Sequence, residues 1–345
     1  MKIAIVLGTR PEIMKNYAIV HAMRALDMPH LVLHTNQHHD AQMHDTHFAL
    51  ARYQPDVVCP PPYRLGQAID WVSRLLRQHR ITTVLVHGDS AAALIGATAA
   101  LYTDTPLVHV EAGLRAFDRA MIEERNRIMV DAVAHYLFTN TAYHAAYLRR
   151  NTELRGRIVN AGNTTVDLLA DFGTQLDDPQ IGRYAYLTLH RKEFTDNAAC
   201  MAATFRALNE LASLFDHVIF PMHPRTRDCM CRYAIPAALL SNITVIEPVS
   251  FVQSLAYEKH ASLIITDSGC MQEEAYLFGV PCVTLRENTE RTETVAVGAN
   301  IVSGFAPDAI RVAVEQQAAK GRLVFPPVYG SVGVGHRIAA MLQYA

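Results

Sequence analysis

Short apolar runs alternate with helix-length segments along almost the whole chain, and this alternation constrains the fold more than any other feature. Strands separated by helices form parallel sheets that are covered by helices on both faces. Two such series are present, each of about six strands, so the sequence predicts an α/β fold with two doubly wound, Rossmann-like domains. The predicted strands lie near 2–7, 30–35, 82–87, 106–110, 136–139, 157–161, and then 184–189, 217–221, 243–246, 262–266, 282–285 and 300–303. Helix-length segments between them include 11–26, 68–79, 90–102, 120–134, 197–214 and 306–320.

The domain boundary is predicted in the polar, turn-rich stretch 172–180. An N-terminal domain at 1–172 and a C-terminal domain at 181–328 follow from this choice. The proline-rich residues 326–330 then precede a final helix near 334–344. A length of 345 residues gives each domain enough chain to bury a core.

Composition excludes several classes of protein. A formal charge of −2 without a basic stripe argues against a nucleic-acid partner. Apolar runs stay well short of the ~20 residues of a membrane span, and the first residues read as a strand, not a signal peptide. Six scattered cysteines without C-x-x-C spacing indicate free thiols and a cytoplasmic location.

The run from Ile264 to Glu274 predicts a phosphate-binding turn. A strand ends at Asp267, Ser268 and Gly269 form a turn, and a helix opens with two carboxylates expected in its first turn. Such a turn presents backbone N–H groups and the positive helix end to an anion. A carboxylate one turn into the helix could accept bonds from ribose hydroxyls. The alternative is an ordinary Asp/Ser helix cap.

A second turn of this kind follows the N-terminal strand. Gly8 permits a tight turn, Pro11 and Glu12 suit the start of a helix, and Arg10 and Lys15 place cations there. The motif is neither G-x-G-x-x-G nor a P-loop. Anion binding is favoured over simple solvation of the two cations. Because ligands bind beyond the carboxyl ends of parallel strands, the site is expected in the cleft between the domains.

Further polar residues follow apolar strands. They are Asp89, Glu111, Glu123 with Glu124, His190 and His223. Buried polar groups are costly unless paired, and strand ends are where functional groups collect. Crowded carboxylates would raise one another's pKa and supply an acid and a base near neutral pH. Each residue also has a structural alternative: a cap for the carboxylates, a core position for the histidines.

The chain has seventeen histidines, and they are densest in 37–47. His44 and His47, spaced i, i+3, could grip a metal. No distant ligand set is evident, so a polar helix start facing the cleft is preferred.

Taken in order, these motifs resemble the non-hydrolysing UDP-N-acetylglucosamine 2-epimerase family. The resemblance spans nearly the whole chain. It rests on Gly8–Glu12 with Lys15, Gln37-His38, Gly88-Asp89, His109–Arg115, Glu123-Glu124 with Asn126-Arg127, Gly162-Asn163, His190-Arg191, Thr266–Gly269 with Gln272–Glu274, and Thr289–Arg291.

The resemblance implies a GT-B-like fold, a homodimer, and a C-terminal helix at 329–345 that crosses back to the first domain. The implied reaction interconverts UDP-GlcNAc and UDP-ManNAc for cell-surface polysaccharide precursors. The C2 proton is removed and UDP expelled to leave a glycal, and UDP re-adds after C2 is protonated on the opposite face. No redox cofactor or metal is implied.

The resemblance also assigns roles to residues. The implied catalytic residues are Asp89, Glu111, Glu123 and His190. The implied substrate-binding residues are Arg10, Lys15, Arg127, His223, Phe251, Ser268, Gly269, the N–H of Cys270, Glu274 for ribose, and Arg291.

Several residues depart from the family pattern. Cys270 replaces a glycine, Ile122 and Thr292 replace prolines, Asn36 replaces a glycine, and Ser254 replaces an aromatic residue that commonly stacks on uracil. The loop before Gly66-Gln67 is shortened, so weak or absent activation by UDP-GlcNAc is expected. Three alternatives stay open: a 2-epimerase of a modified UDP-HexNAc such as a uronic acid, a GT-B-fold hydrolase or glycosyltransferase, and a silent nucleotide-sugar binder.

Overall fold

The computed structural model describes residues 1–37, 41–61 and 64–344, with backbone alone at 41–44. Contacts between Cα atoms divide the chain into two compact units. Unit 1 comprises Met1–Asp171 with Pro327–Ala345, and unit 2 comprises Phe172–Pro326. The C-terminal segment therefore belongs to the same unit as the N-terminus.

Within the described residues, unit 1 contains a sheet of seven parallel strands. The strands are β1 (Ile3–Leu7), β2 (His30–His34), β3 (Val57–Val58), β4 (Thr83–His87), β5 (Leu107–Val110), β6 (Tyr136–Thr139) and β7 (Arg157–Asn160). Their order in the sheet is β3-β2-β1-β4-β5-β6-β7. Ile5 of the fully buried β1 pairs with Val32 on one side and Leu85 on the other. A continuous apolar run is what a central parallel strand requires.

Unit 2 contains a second parallel sheet, of six strands over the part of the chain described. The strands are β8 (Tyr184–Thr188), β9 (His217–Pro221), β10 (Thr244–Ile246), β11 (Leu263–Thr266), β12 (Cys282–Thr284) and β13 (Asn300–Val302). Their order is β10-β9-β8-β11-β12-β13. Phe194, Phe205 and Phe220 pack together in its core.

The α-helices lie in the connections between strands, except the last two, which follow β13. They are α1 (Arg10–Lys15), α2 (Tyr17–Ala25), α3 (Ala41–Ala51), α4 (Leu65–Gln78), α5 (Ala91–Tyr102), α6 (Ile122–Val133), α7 (Ala142–Arg149), α8 (Thr165–Phe172), α9 (Lys192–Thr195), α10 (Ala198–Leu211), α11 (Pro224–Arg232), α12 (Phe251–His260), α13 (Gly269–Phe278), α14 (Thr292–Ala296), α15 (Pro307–Ala318) and α16 (Val334–Gln343). Every helix in the described ranges is too short or too polar to cross a lipid bilayer.

The predicted α/β architecture with two doubly wound sheets is confirmed. The strand β3 was not predicted, because it has only two residues. The helix predicted at 11–26 is two helices divided at Asn16. The Asn16 side chain donates to the Glu12 carbonyl at 2.9 Å, and such local side-chain bonds compete with a continuous helix.

Each sheet reverses its strand order at one place, and both reversals bear on function. In unit 1 the reversal lies between β1 and β4, and in unit 2 between β8 and β11. Ligands of open α/β sheets bind outside the carboxyl ends of strands at such switch points. The loops that follow β4, β8 and β11 carry Asp89, His190, and Asp267 with Ser268, and the helix after β1 carries Arg10 and Lys15.

Candidate active site

The turn after β1 is held by the carboxylate of Glu12. Its Oε2 accepts from Gly8 N at 2.9 Å and Thr9 N at 2.8 Å, and Ser90 Oγ donates to its Oε1 at 2.5 Å. Burial raises the pKa of Glu12 and outweighs these hydrogen bonds, which by themselves lower the pKa. The anion that faces these two amides is therefore the protein's own carboxylate. The binding role of Arg10, half-buried as the first residue of α1, stays a prediction.

Lys15, Glu111 and His87 form a buried cluster at the carboxyl ends of β1, β4 and β5. Lys15 Nζ lies 2.6 Å from Glu111 Oε2, and His87 Nε2 lies 3.3 Å from the same oxygen. Burial lowers the pKa of His87 below 6.5, against an opposing effect of Glu111, so the imidazole is neutral near pH 7. Sequence reasoning did not assign His87 a role.

The backbone of Glu111 takes a left-handed conformation, with φ of 70°. Residues other than glycine rarely adopt this region, and such strain collects at functional sites. The carboxylate is only 6% exposed. Met121 is the N-cap of α6, the next helix along the chain, so Glu111 does not cap that helix.

Asp89 is held by Arg127. The guanidinium donates through Nε at 3.1 Å and through Nη2 to Asp89 Oδ2. Asn126 Nδ2 donates to the Asp89 carbonyl at 2.8 Å, while the Asp89 side chain is 32% exposed. Ser90, not Asp89, caps α5. Arg127, predicted to bind substrate, here orients a predicted catalytic carboxylate.

The two glutamates that open α6 differ in their surroundings. Glu124 is buried, accepts from Ala116 N at 2.9 Å and Phe117 N at 3.1 Å, and pairs with Arg127 at 2.8 Å. Glu123 is half-buried. Ile122 is the first residue of α6, so the helix begins there without the proline.

A buried ion-pair network supports the turn that carries Asp89. His109 Nδ1 lies 2.7 Å from Asp131 Oδ1, and His109 Nε2 lies 2.9 Å from the carbonyl of Gly88. Arg115 Nη2 lies 2.7 Å from Asp131 Oδ2. Burial opposes ionisation of Asp131, yet His109 and Arg115 outweigh it and lower its pKa. The sequence did not predict a role for Asp131, because its partners are distant in sequence and no local motif in α6 includes it.

In unit 2, Asp267 organises the loop after β8 instead of capping α13. Its fully buried carboxylate accepts from His190 N and Arg191 N, each at 2.7 Å. His190 Nδ1 lies 3.4 Å from Asp267 Oδ1. The His190 ring is 39% exposed and stacks on His223 with centroids 5.3 Å apart. His190 is therefore not a core histidine, and His223 accepts from Arg225 N as the cap of α11.

The helix after Asp267 begins at Gly269, with Ser268 as its N-cap. Glu273 and Glu274 consequently lie in the second turn, so their predicted place in the first turn is wrong. A Cβ on Gly269 would lie 2.7 Å from Glu290 Oε1. The neighbouring Cys270 side chain is half-buried.

A predicted binding residue, Arg291, pairs with carboxylates of this helix and its surroundings. Arg291 Nε lies 2.5 Å from Glu273 Oε1, and Arg291 Nη1 lies 3.4 Å from Glu290 Oε1. Burial, and to a smaller extent the neighbouring Glu274, raises the pKa of Glu258, a residue of α12 that sequence reasoning did not single out. Phe251 begins α12 and is half-buried.

Metal binding has no support in the residues that can be described. Among them, no three His, Cys, Asp or Glu side chains converge to hold a metal ion. His38 and the side chain of His44 lie outside the described residues. His47 lies on α3, and all six cysteines are free thiols.

Comparison with known proteins first defines the class. The glycosyltransferase of kitacinnamycin has 12% sequence identity and a TM-score of 0.63 over 99% of this chain and 98% of its own, which shows the fold alone. The protein thus has the predicted GT-B-like α/β fold.

The family follows from closer relatives. A family model described as UDP-N-acetylglucosamine 2-epimerase matches residues 21–343. The UDP-N-acetylglucosamine 2-epimerase of Methanocaldococcus jannaschii is 37% identical over 372 residues, 100% of this chain and 99% of the relative. A crystal structure of the enzyme from that organism in complex with UDP-GlcNAc and UDP has 36% identity, covers both chains fully and gives a TM-score of 0.89.

A third relative differs in substrate. The UDP-2,3-diacetamido-2,3-dideoxy-D-glucuronate 2-epimerase of Pseudomonas aeruginosa is 33% identical over 356 residues, 99% of each chain.

The chain belongs to the UDP-N-acetylglucosamine 2-epimerase family. The resemblance predicted from the motifs is confirmed, and the family's members are UDP-sugar 2-epimerases, which are isomerases.

Proposed function

We propose that this protein interconverts UDP-GlcNAc and UDP-ManNAc without net hydrolysis. A base removes the C2 proton, the bond from C1 to the phosphate oxygen breaks, and UDP and a glycal result. A proton then adds to the opposite face of C2 while UDP re-adds at C1. Family membership and the UDP-GlcNAc bound in the M. jannaschii structure support this substrate.

The observation that carries the proposal is the strained, buried Glu111. A left-handed backbone at a non-glycine residue must be maintained by its surroundings, here with Lys15 and His87 on one carboxylate oxygen. We assign Glu111 to proton transfer at the sugar. Lys15 holds its carboxylate in place, and a positioned acid or base of this kind contributes roughly 10²–10⁴-fold to rate.

Asp89 and Glu123 are the remaining proton-transfer candidates of unit 1. The one-third exposure of Asp89 allows contact with a substrate, while Arg127 and Asn126 fix its direction. Two groups on opposite faces of C2 are needed, because the proton leaves one face and returns to the other. Glu123 is better placed than Glu124, whose carboxylate already accepts from two backbone amides and Arg127.

We assign the nucleotide to unit 2. The first amides of α13, at Gly269 and Cys270, would bind phosphate oxygens together with Ser268, since a helix N-terminus favours anions. The Cys270 side chain does not remove its backbone N–H. Glu274 would accept from the ribose hydroxyls, and Phe251 would contact the base.

Cationic and imidazole groups complete this assignment. His190, exposed and held by Asp267, would support departure of the phosphate. His223, Arg10 and Arg291 would contact the diphosphate or sugar. We further propose, from family membership alone, a homodimer in the cytoplasm that supplies polysaccharide precursors.

Incubation with UDP-GlcNAc in heavy water, followed by NMR at C2, tests the proposed reaction. Deuterium at C2 together with an equilibrating second UDP-sugar is expected. Stoichiometric free UDP and sugar would instead show a hydrolase or, with an acceptor, a glycosyltransferase. Unchanged spectra despite nucleotide binding would show a silent binder.

A second candidate substrate is favoured by one comparison. The P. aeruginosa relative, named for a diacetamido glucuronate, aligns over 99% of each chain. Epimerisation of that UDP-uronate should be measured beside UDP-GlcNAc under the same conditions. A larger kcat/KM for the uronate would replace UDP-GlcNAc as the proposed substrate.

A further inference from the structure

The side chain of His109 is fully buried in unit 1, and each of its ring nitrogens faces an oxygen atom. Nδ1 lies 2.7 Å from Asp131 Oδ1, and Nε2 lies 2.9 Å from the carbonyl oxygen of Gly88. A backbone carbonyl can only accept a hydrogen bond, so Nε2 must carry a hydrogen. The charge of His109 therefore depends on whether Nδ1 carries a hydrogen as well.

The surroundings of the Asp131 carboxylate decide the state of Nδ1. Arg115 Nη2 lies 2.7 Å from Asp131 Oδ2, and Gly113 N donates to the same oxygen at 3.2 Å. A guanidinium stays protonated and favours an ionised carboxylate beside it, which can then only accept hydrogen bonds. Of the two groups that could hold the shared proton, an imidazole is also the stronger base. Both ring nitrogens of His109 therefore donate, and an imidazole with two N–H groups is a cation.

Two cations share the Asp131 carboxylate, and the surroundings accommodate the second one. The guanidinium of Arg115 lies over the Tyr147 ring, 5.3 Å from its centroid. The negative face of an aromatic ring attracts a cation. On the neighbouring strand β4, burial lowers the pKa of His87 and the charge of His109 adds to this effect, so His87 contributes no further positive charge near pH 7.

The Gly88 carbonyl belongs to the turn that carries Asp89. The next carbonyl of this turn, that of Asp89, accepts from Asn126 Nδ2 at 2.8 Å. A Cβ added at Gly88 would lie 3.8 Å from Glu111 Oε2, so the turn also borders the Glu111 carboxylate. Helix α6 thus fixes two successive carbonyls of the turn, one directly through Asn126 and the other through His109.

We propose that His109 is an imidazolium cation, held by Asp131, and a positioning residue for catalysis. Its Nε2–H fixes the Gly88 carbonyl and thereby directs the Asp89 carboxylate at the sugar. This inference rests on the proposed function, in which Asp89 is a candidate for proton transfer at C2. Loss of the bond to Gly88 should therefore slow the reaction. Loss of the bond to Asp131 alone should mainly lower stability, because Arg115 still pairs with that carboxylate.

Nitrogen NMR of the full chain with ¹⁵N-labelled histidine measures the charge of His109. Near pH 7 both of its ring nitrogens should give the chemical shifts of protonated nitrogens, whereas an ordinary imidazole is mainly neutral at this pH. The chain has 17 histidines, so the signal is assigned by its absence from the spectrum of His109→Gln. One unprotonated ring nitrogen in His109 near pH 7 would overturn the proposed charge.

Two neutral amide variants separate the two hydrogen bonds of the ring. The NH₂ group of His109→Gln lies near the position of Nε2 and can still donate to Gly88. The NH₂ group of His109→Asn lies near the position of Nδ1 and can donate to Asp131 instead. We expect kcat for C2 exchange with UDP-GlcNAc to fall by about tenfold or more in His109→Asn, and by less than about threefold in His109→Gln, with KM nearly unchanged in both.

His144→Gln is the matched control. It replaces another buried imidazole of unit 1, whose Nδ1 lies 3.0 Å from Thr141 Oγ1, and should keep the wild-type kcat. Urea unfolding gives the folded fraction of each variant, and kcat is expressed per folded molecule. A purely structural role of His109 would lower the folded fraction without changing this corrected kcat.

The failures are distinguishable. A wild-type corrected kcat for His109→Asn would overturn the positioning role, and so would a loss of about tenfold or more in His109→Gln. If His109→Asn does not fold, the result for His109→Gln decides. Absence of C2 exchange in the wild type would overturn the proposed function itself, while the nitrogen spectrum still decides the charge of His109.

Discussion

The Lys15 ammonium lies 2.6 Å from Glu111 Oε2, and both side chains are buried. Removing one partner of such a pair leaves an uncompensated buried charge, which costs about 3–5 kcal/mol. We therefore expect Lys15→Met to lower the free energy of unfolding by that amount and to lose C2 exchange. Urea denaturation measures the first effect. The double variant Lys15→Met/Glu111→Gln should be more stable than the sum of the two single changes predicts; strict additivity would contradict the pairing.

The ion pairs of Asp131 should stabilise the folded protein by an amount that decreases at acidic pH. The folded pKa of Asp131 is lowered from 3.8, so the contribution is present above about pH 4 and is lost as pH falls through the folded value. Asp131→Asn should cost about 3 kcal/mol near pH 7, because Arg115 and His109 lose a buried partner. The difference from wild type should shrink near pH 3, as urea unfolding at the two pH values will show. A constant difference would argue against the ion pairs as its origin.

Gly269 tests how closely the proposed phosphate-binding turn is packed. A Cβ there meets Glu290 Oε1 at 2.7 Å, and Glu290 is itself held by Arg286 at 2.8 Å. Gly269→Ala should destabilise by about 1–3 kcal/mol and weaken UDP binding by about tenfold or more. Gly66→Ala is the matched control, because it also lies at a helix start and a Cβ there meets nothing within 4 Å. Gly66→Ala should be neutral or stabilising by up to about 1 kcal/mol; equal losses from both changes would refute the packing argument.

Asp267→Asn tests the orientation of His190. The amide oxygen can still accept from His190 N and Arg191 N, but an NH₂ group replaces the oxygen that lies 3.4 Å from His190 Nδ1. We expect kcat to fall by about tenfold or more while UDP affinity changes less than about threefold. Exposed Asp308→Asn in α15 controls for the loss of one charge in unit 2. A wild-type kcat for Asp267→Asn would show that the contact between Asp267 and His190 does not contribute to catalysis.

Sequence reasoning located the strand ends because apolar runs and the polar residues after them are local features. Asp89, Glu111, His190 and Asp267 all lie where the pattern placed them. Partners that come from distant segments could not be found this way. Asp131 meets His109 from 22 positions away, and Arg127 holds Asp89 from 38 positions away.

Helix boundaries and the burial of individual side chains also could not be predicted from the sequence pattern. The helix α13 begins at Gly269, earlier than the two glutamates indicated, so Glu273 and Glu274 lie in the second turn. Of Glu123 and Glu124, the sequence alone cannot say which is bound to backbone amides. That distinction depends on the loop at 116–117, which folds back onto α6.

The central claim is that Glu111 transfers a proton at C2 of the sugar. The most direct measurement is deuterium incorporation at C2 of UDP-GlcNAc in heavy water by Glu111→Gln, beside wild type and the exposed control Glu153→Gln in unit 1. We predict that Glu111→Gln loses exchange by about 10²-fold or more while Glu153→Gln matches wild type. Full exchange by a folded Glu111→Gln would contradict the claim.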